Sequence, residues 1–374
     1  MNNVTAANWL DGRHTGWSLQ HVPDLLAPAA IARCNEPVRE FTEPDSPATL
    51  DVDAFCAGTY TDALLVIRGE TILHERYFGE MTPGTRHLVM SVSKSVCGMT
   101  AGALAGAGDL DLAALVATYI PELAGGPYGT ATVADLLAMT APHRYDMDHT
   151  DPESEVSAED RAAGWRPRRP GDPAGGSRAF LARLGFAAGG GQPGQSFQYS
   201  SATTEVLSWV LERAASTPYA RLVSEVLWTR MGAEQDAYIT VDASGTPYGC
   251  AGIGMTLRDL ARFGRLILDG GGYGSTQVIP RAWIKETFTG GDPAMVRGEP
   301  FSRYLPEGSY RNQWWVTGNG PMYASGLLGQ YLWLDPAADL IIAKFSHIPV
   351  EADLRAVHVR AFEAITTELE GQDT

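Results

Sequence analysis

"LVMSVSKSVCG", residues 88–98, sets three serines around one of only three lysines, at 94, 285 and 344, in a chain of 374 residues. The rest of the 28 basic residues are arginines, which keep their proton, whereas a lysine can release it. The apolar neighbours Met90, Val92 and Val96 predict a buried amine whose pKa is lowered. "MTAGALAGAG" continues at helical spacing and ends in glycine, so the reading predicts a helix over 91–106. Residues three apart share a helix face, which pairs Ser91 with Lys94 and turns Ser93 and Ser95 elsewhere. A serine hydroxyl becomes an attacking group only when a neighbour takes its proton, which an uncharged Lys94 Nζ would do. A first-turn position also brings free backbone N–H groups and the positive end of the helix dipole to a developing oxyanion. A lysine that stayed charged would act instead on a nearby phenol. Tyr199 of "SFQYSSATTEVLSW", residues 196–209, stands directly before a helix start with Ser200, Ser201 and Thr203 available as caps.

Outward from this helix, "DALLVIRGETILHERYF" predicts two strands joined at Arg68-Gly69-Glu70. Helical patterns dominate 110–265, as in "TVADLLAM", "SRAFLARLGF" and "TLRDLARFGRLILDGG", interrupted by an irregular polar stretch at 142–176. Strands return after 305 in "NQWWVTG", "QYLWLDP" and "DLIIAKFSH", and "DLRAVHVRAFEAITTELE" closes as an amphipathic helix. The expected fold is α/β (α+β): a mainly antiparallel sheet built from both chain ends, flanked by helices, with an inserted, mostly helical lobe. Residues 1–50 would form an extended arm, 51–92 with 262–374 the sheet lobe, and 93–261 the helical lobe, the active site lying between the two.

A net charge of -16 repels nucleic acid and anionic membrane surfaces, so neither is an expected partner. No signal-peptide pattern opens the chain and no apolar run approaches about 18 residues, which predicts a cytoplasmic protein. Cys34, Cys56, Cys97 and Cys250 are too scattered for a zinc site and suit reduced, buried thiols. His143, Asp146, Asp148, His149 and Asp151 gather in one stretch but match neither an EF-hand nor HExxH; a solvated acidic loop is the reading, with no metal or cofactor expected. No GxSxG occurs, and "GAGDLDL" follows a helix rather than a strand, which disfavours an α/β-hydrolase and a dinucleotide-binding fold. The expected partner is a small amide or ester, and a homodimer is compatible with this composition.

Ser91-Val92-Ser93-Lys94, Tyr199-Ser200-Ser201 and "ASGLLGQYLWLDP" at 324–336 resemble the serine β-lactamase and penicillin-recognising superfamily, in its class C and esterase branch. "TDALLVIRG", "HLVMSVSKSVCG", "DPESEVSAEDRAAGWRPRR", "GQSFQYSSA" and "RNQWWVTGN" are similar to the 6-aminohexanoate-dimer hydrolases, which degrade nylon oligomers. The resemblance implies an acyl-enzyme on Ser91, a proton-transfer pair Lys94 and Tyr199, and an oxyanion hole from the backbone N–H groups of Ser91 and Leu327, the latter on an edge strand. It implies substrate contacts from Asp160, matching an acid that favours a substrate amino group, and Trp165, matching a tryptophan of a mobile loop. His149 stands in place of a loop tyrosine and Cys250 in place of an asparagine or histidine near the pocket. Ala324-Ser325-Gly326 replaces the Lys-Thr-Gly that antibiotic-hydrolysing members use, so weak β-lactam turnover is expected. Ester cleavage makes smaller demands on the leaving group than amide cleavage and is the firmer expectation. The rival readings are a non-catalytic binding protein on the same fold, a D-amino-acid peptidase and a weak β-lactamase.

Overall fold

The computed structural model describes residues 3–35, 37–44, 50–187 and 191–372. The strands, in chain order, are β1 (Pro28–Ile31), β2 (Thr61–Arg68), β3 (Thr71–Tyr77), β4 (His87–Leu88), β5 (Ala237–Thr240), β6 (Ile253–Met255), β7 (Ser309–Arg311), β8 (Trp314–Val316), β9 (Met322–Gly326), β10 (Gln330–Asp335) and β11 (Leu340–Ser346), beside a small hairpin at 272–277. Five longer helices matter for the site: α1 (Val92–Ala107), α2 (Glu155–Ala162), α3 (Ser201–Ala215), α4 (Leu257–Leu268) and α5 (Arg355–Gln372).

The main sheet is antiparallel with the order β3-β2-β11-β10-β9-β8-β7, so strands from both ends of the chain share it, as the sequence predicts. Gly69 makes the expected turn between β2 and β3 with φ +59°, a left-handed conformation that favours glycine. Strand alternation sorts the core in two. Ala63, Leu65, Ile67, Leu332, Ile341 and Ala343 face Leu260, Phe263 and Ile267 of α4, while Leu64, Val66, Trp333 and Ile342 face Val359, Phe362 and Ile365 of α5. With both faces covered, β2 and β11 read as continuous apolar runs. Asn312 and Gln313 form the β7–β8 turn with φ of +50° and +68°, the twist that a two-residue hairpin requires. Helix α1 crosses this turn so closely that a Cβ on Gly98 would lie 2.1 Å from the carbonyl oxygen of Asn312.

Three features depart from the sequence expectation. The arm predicted over 1–50, of which 1, 2, 36 and 45–49 fall outside the described residues, holds short helices at Thr15–Ser18 and Val22–Leu25 and inserts β1 beside β5. Its Trp9 is buried and donates to the carbonyl of Trp165. A second sheet, β1-β5-β6-β4, takes two strands from the segment 93–261 expected to be helical, and α4 starts at Leu257, so a boundary at 262 would cut a helix. Finally, the irregular stretch 142–176 contains α2, opened by Ser154, whose hydroxyl accepts the N–H of Ser157. Its low apolar content hides the helical period, while the buried Val156 and Asp160 anchor it.

Candidate active site

The chain enters the site from β4. Val89 N–H bonds Ile253 O at 2.8 Å, and Met90 then takes φ +51°, a left-handed conformation costing a non-glycine residue about 1 kcal/mol. This sharp turn delivers Ser91, half-buried, to the cap position of α1. One helical turn on, Lys94 Nζ lies 3.1 Å from Ser91 Oγ. Ser93 and Ser95 are structural, as their spacing predicts: Ser93 Oγ accepts from Ile253 N–H and Ser95 Oγ donates to Gln313 O.

Lys94 is the position where the sequence reading fails. Its ammonium also donates to Ser201 Oγ at 3.2 Å and to Cys250 O at 3.1 Å, so three donors meet three acceptors. Burial lowers its pKa, as expected from Met90, Val92 and Val96, but the negative charge that Tyr199, Cys250, Glu159 and Glu205 carry when ionised raises it. The balance lies above the ordinary lysine value, so the side chain keeps its proton at neutral pH. The lysine whose pKa burial does depress is Lys344 on β11, pushed down to about 7.

Tyr199 precedes α3, whose cap Ser200 accepts from Thr203 N–H at 3.4 Å. Its ring centroid lies 5.3 Å from Lys94 Nζ, and it stacks on Trp315 at 5.3 Å. Leu327 lies in the turn between β9 and β10, two strands inside the sheet rather than on an edge. Leu328 (φ +63°) and Gly329 (φ +91°) close that turn, and β9 approaches the Ser91 segment so tightly that a Cβ on Gly326 would meet Val89 O at 2.5 Å. Neither Ser91 N–H nor Leu327 N–H finds an acceptor among the described residues, and both residues line the cavity. Two unsatisfied N–H groups beside a serine hydroxyl are what a developing oxyanion requires.

Ser91 stands where two cavities meet. A wide one of about 590 Å³ is bordered by Tyr199 and Trp315, and a narrow one of about 60 Å³ by Asp160, Trp165, Tyr248 and Ser201; His149, Leu327 and Leu328 border both. Asp160 is buried and already engaged, accepting from Tyr248 OH and Arg166 Nε, each at 3.1 Å. Trp165 is wedged between Trp9 and Tyr248, with centroids at 5.1 and 4.8 Å, and donates to Thr240 Oγ1. Burial lowers the pKa of His149, although Asp160 opposes this, so its imidazole is neutral and able to donate to a leaving atom. Cys250 corrects an expectation: its side chain is fully buried and borders neither cavity, and its contribution is the carbonyl that holds Lys94.

Sequence reasoning missed the acids behind the lysine. Glu205 of α3 accepts Cys250 N–H at 2.6 Å, fixing the loop whose carbonyl holds Lys94, and burial raises its pKa to about 7. Glu159 is buried with Oε1 unpartnered and accepts the Tyr145 hydroxyl through Oε2; burial keeps it protonated well above the usual carboxylate range. One signal was available for Glu205, which shares the apolar face of α3 with Ala202 and Trp209. In the 143–151 stretch, His143 is buried against Ala141 O and Ser200 Oγ while Asp146, Asp148 and His149 serve loop contacts; no group of three or more metal-ligating side chains occurs among the described residues.

A Ser-x-x-Lys pair at the start of a helix, packed on an antiparallel sheet, with two unpaired backbone N–H groups on residues lining the same cavity, defines a serine hydrolase. The chain belongs to the beta-lactamase family, whose model matches residues 52–364. It is 41% identical over 360 residues, 95% of this chain and 90% of the relative, to the 6-aminohexanoate-dimer hydrolase of Paenarthrobacter ureafaciens. Its fold matches that of a Bacillus anthracis protein assigned as a 6-aminohexanoate-dimer hydrolase, with a TM-score of 0.89 and 27% identity, over 99% of this chain and 98% of that one. EstCE1, a hydrolase with promiscuous acyltransferase activity, shares the fold at a TM-score of 0.65 and 16% identity, over 84% of this chain and 96% of the other. No helix among the described residues is long and apolar enough to cross a membrane.

Proposed function

We propose that this serine hydrolase cleaves short linear esters and amides through an acyl-enzyme on Ser91, with 6-aminohexanoate oligomers among its substrates; the relative that is 41% identical is a 6-aminohexanoate-dimer hydrolase. Ser91 Oγ attacks the carbonyl carbon and its proton passes to the Tyr199 oxygen, which enters the step as the phenolate beside the Lys94 ammonium and leaves it as the phenol. The Lys94 ammonium, 3.1 Å from Ser91 Oγ, stabilises negative charge on both oxygens while the proton moves. The oxyanion accepts from the N–H groups of Ser91 and Leu327. Collapse expels the alcohol or amine, which takes the proton from Tyr199, and neutral His149 assists when the leaving atom is nitrogen. Water then repeats the cycle on the acyl ester and releases the acid. Four free cysteines support a reducing compartment, the cytoplasm, as the place of action.

The observation that carries the reading is Lys94 Nζ 3.1 Å from Ser91 Oγ, in a cavity also lined by Ser91 and Leu327, whose N–H groups have no acceptor among the described residues. Brief mixing with p-nitrophenyl acetate should give a burst and an acetyl adduct mapped to Ser91, both absent in Ser91→Ala. An adduct on another residue, or equal rates in both proteins, would overturn the assignment and favour a binding protein on this fold.

A further inference from the structure

The narrow cavity beside Ser91 is lined by two unlike sets of side chains. Asp160, Arg166 and His149 are polar, whereas Leu10, Leu327 and Val350 are apolar. Leu10 and Leu327 are half-buried and Val350 is exposed, so all three present surface to whatever enters. Leu327 and Val350 follow strands of the main sheet, β9 and β11. Leu10 arrives from the N-terminal segment, outside the residues 52–364 that carry the family match.

Leu10 is fixed there by its neighbour. The buried Trp9 indole donates to Trp165 O at 2.8 Å and meets the Trp165 ring edge-on at 5.1 Å, and the Trp9 carbonyl accepts the Ser18 hydroxyl at 2.5 Å. Trp165 packs in turn on Tyr248, and Tyr248 OH donates to Asp160. A continuous stack therefore joins the N-terminal segment to the acid, and it sets Leu10 and Asp160 in a constant relation at one cavity.

A chain that is apolar between its carbonyl and a cationic end meets both sets of side chains, and a 6-aminohexanoyl group is such a chain. Asp160 suits the ammonium, which puts the acyl half in the narrow cavity and leaves the carboxylate-bearing half to the wide one. Arg166 Nε already pairs with Asp160 at 3.1 Å, so the ammonium gains less than it would from an unpaired acid. The apolar surface must then supply much of the binding of the methylenes.

We infer that the N-terminal segment forms a wall of the substrate site, with Leu10 the residue that selects acyl groups carrying several methylenes over short ones. This rests on the hydrolase reading above and adds a specificity-determining residue to it.

The test uses p-nitrophenyl acetate, hexanoate and 6-aminohexanoate, which share one leaving group, so that only the acyl side varies. Ratios of kcat/KM between two of these esters cancel the folded fraction of any variant. In the unaltered protein the hexanoate-to-acetate ratio should be about ten. Leu10→Ala should lower it about fivefold or more, mainly through KM, because the lost contact is made equally in the ground and transition states. Leu10→Met, of similar volume, should keep it within about twofold. Leu10→Asp should lower it further and at the same time raise the aminohexanoate-to-hexanoate ratio, a change of preference that general loosening of the fold does not produce. A hexanoate-to-acetate ratio near one in the unaltered protein, a ratio unchanged in both Leu10→Ala and Leu10→Asp, or a lowered aminohexanoate preference in Leu10→Asp would overturn the inference while leaving the hydrolase intact. Hydrolysis of none of these esters by the unaltered protein would overturn the hydrolase reading itself, and the inference with it.

Discussion

Glu205→Gln tests the buried acid behind Lys94. The glutamine oxygen can still accept Cys250 N–H, so the geometry holding Lys94 survives while the titrating proton and the charge are lost. Burial raises Glu205 from the ordinary carboxylate range to about 7. A carboxyl raised on folding stabilises the native state fully below its unfolded pKa, and that contribution is lost as pH rises through the folded value. Over pH 5 to 8 the native protein should therefore lose about 2–3 kcal/mol that a glutamine, neutral throughout, does not lose. Urea unfolding of both proteins at pH 5 and pH 8 reads this directly: the stability difference should move in favour of Glu205→Gln by that amount at the higher pH. A difference that stays constant between the two pH values would refute the claim that Glu205 holds a proton near neutrality. Activity gives an independent reading, because Glu205→Ala also strands the buried Cys250 N–H, at about 1–3 kcal/mol, and should lower kcat more than Glu205→Gln does.

Lys94→Gln should reduce kcat by about 10²–10⁴-fold with little change in KM, measured on p-nitrophenyl acetate; equal activity would show that the charge beside Ser91 is dispensable. Asp160→Asn leaves the Arg166 guanidinium facing the narrow arm without its carboxylate, so turnover of an amine-bearing 6-aminohexanoate dimer should fall about tenfold relative to a neutral ester. Equal losses on both substrates would rule out charge recognition there. Gly98→Ala places a methyl 2.1 Å from Asn312 O and should destabilise by about 1–3 kcal/mol or more in urea; an unchanged midpoint would contradict the close crossing of α1 over the β7–β8 turn.

Local pattern alone yields α1, the β2–β3 turn at Gly69 and the sheet from both chain ends, because helical spacing, β-branched runs and left-handed glycines are properties of neighbouring residues. The pairing of Ser91 with Lys94 is likewise a consequence of one helical turn. What the chain order conceals is everything brought in from a distance. Helix α2 has too few apolar residues to announce itself and forms because Val156 and Asp160 find burial elsewhere. β1 reads as an arm because its partner is β5, about two hundred residues away. Lys94 looks like a lysine ready to discharge, since its sequence neighbours are apolar. Its proton is retained because Ser201 and Cys250 O arrive from α3 and the loop before β6, with Glu205 behind them. Lys344, flanked by nothing unusual, is the one depressed, because β11 carries it into the apolar layer under α5 with few acceptors to hold its charge. Sequence fixes which groups can ionise; which of them do depends on the low dielectric and the acceptors that only folding assembles.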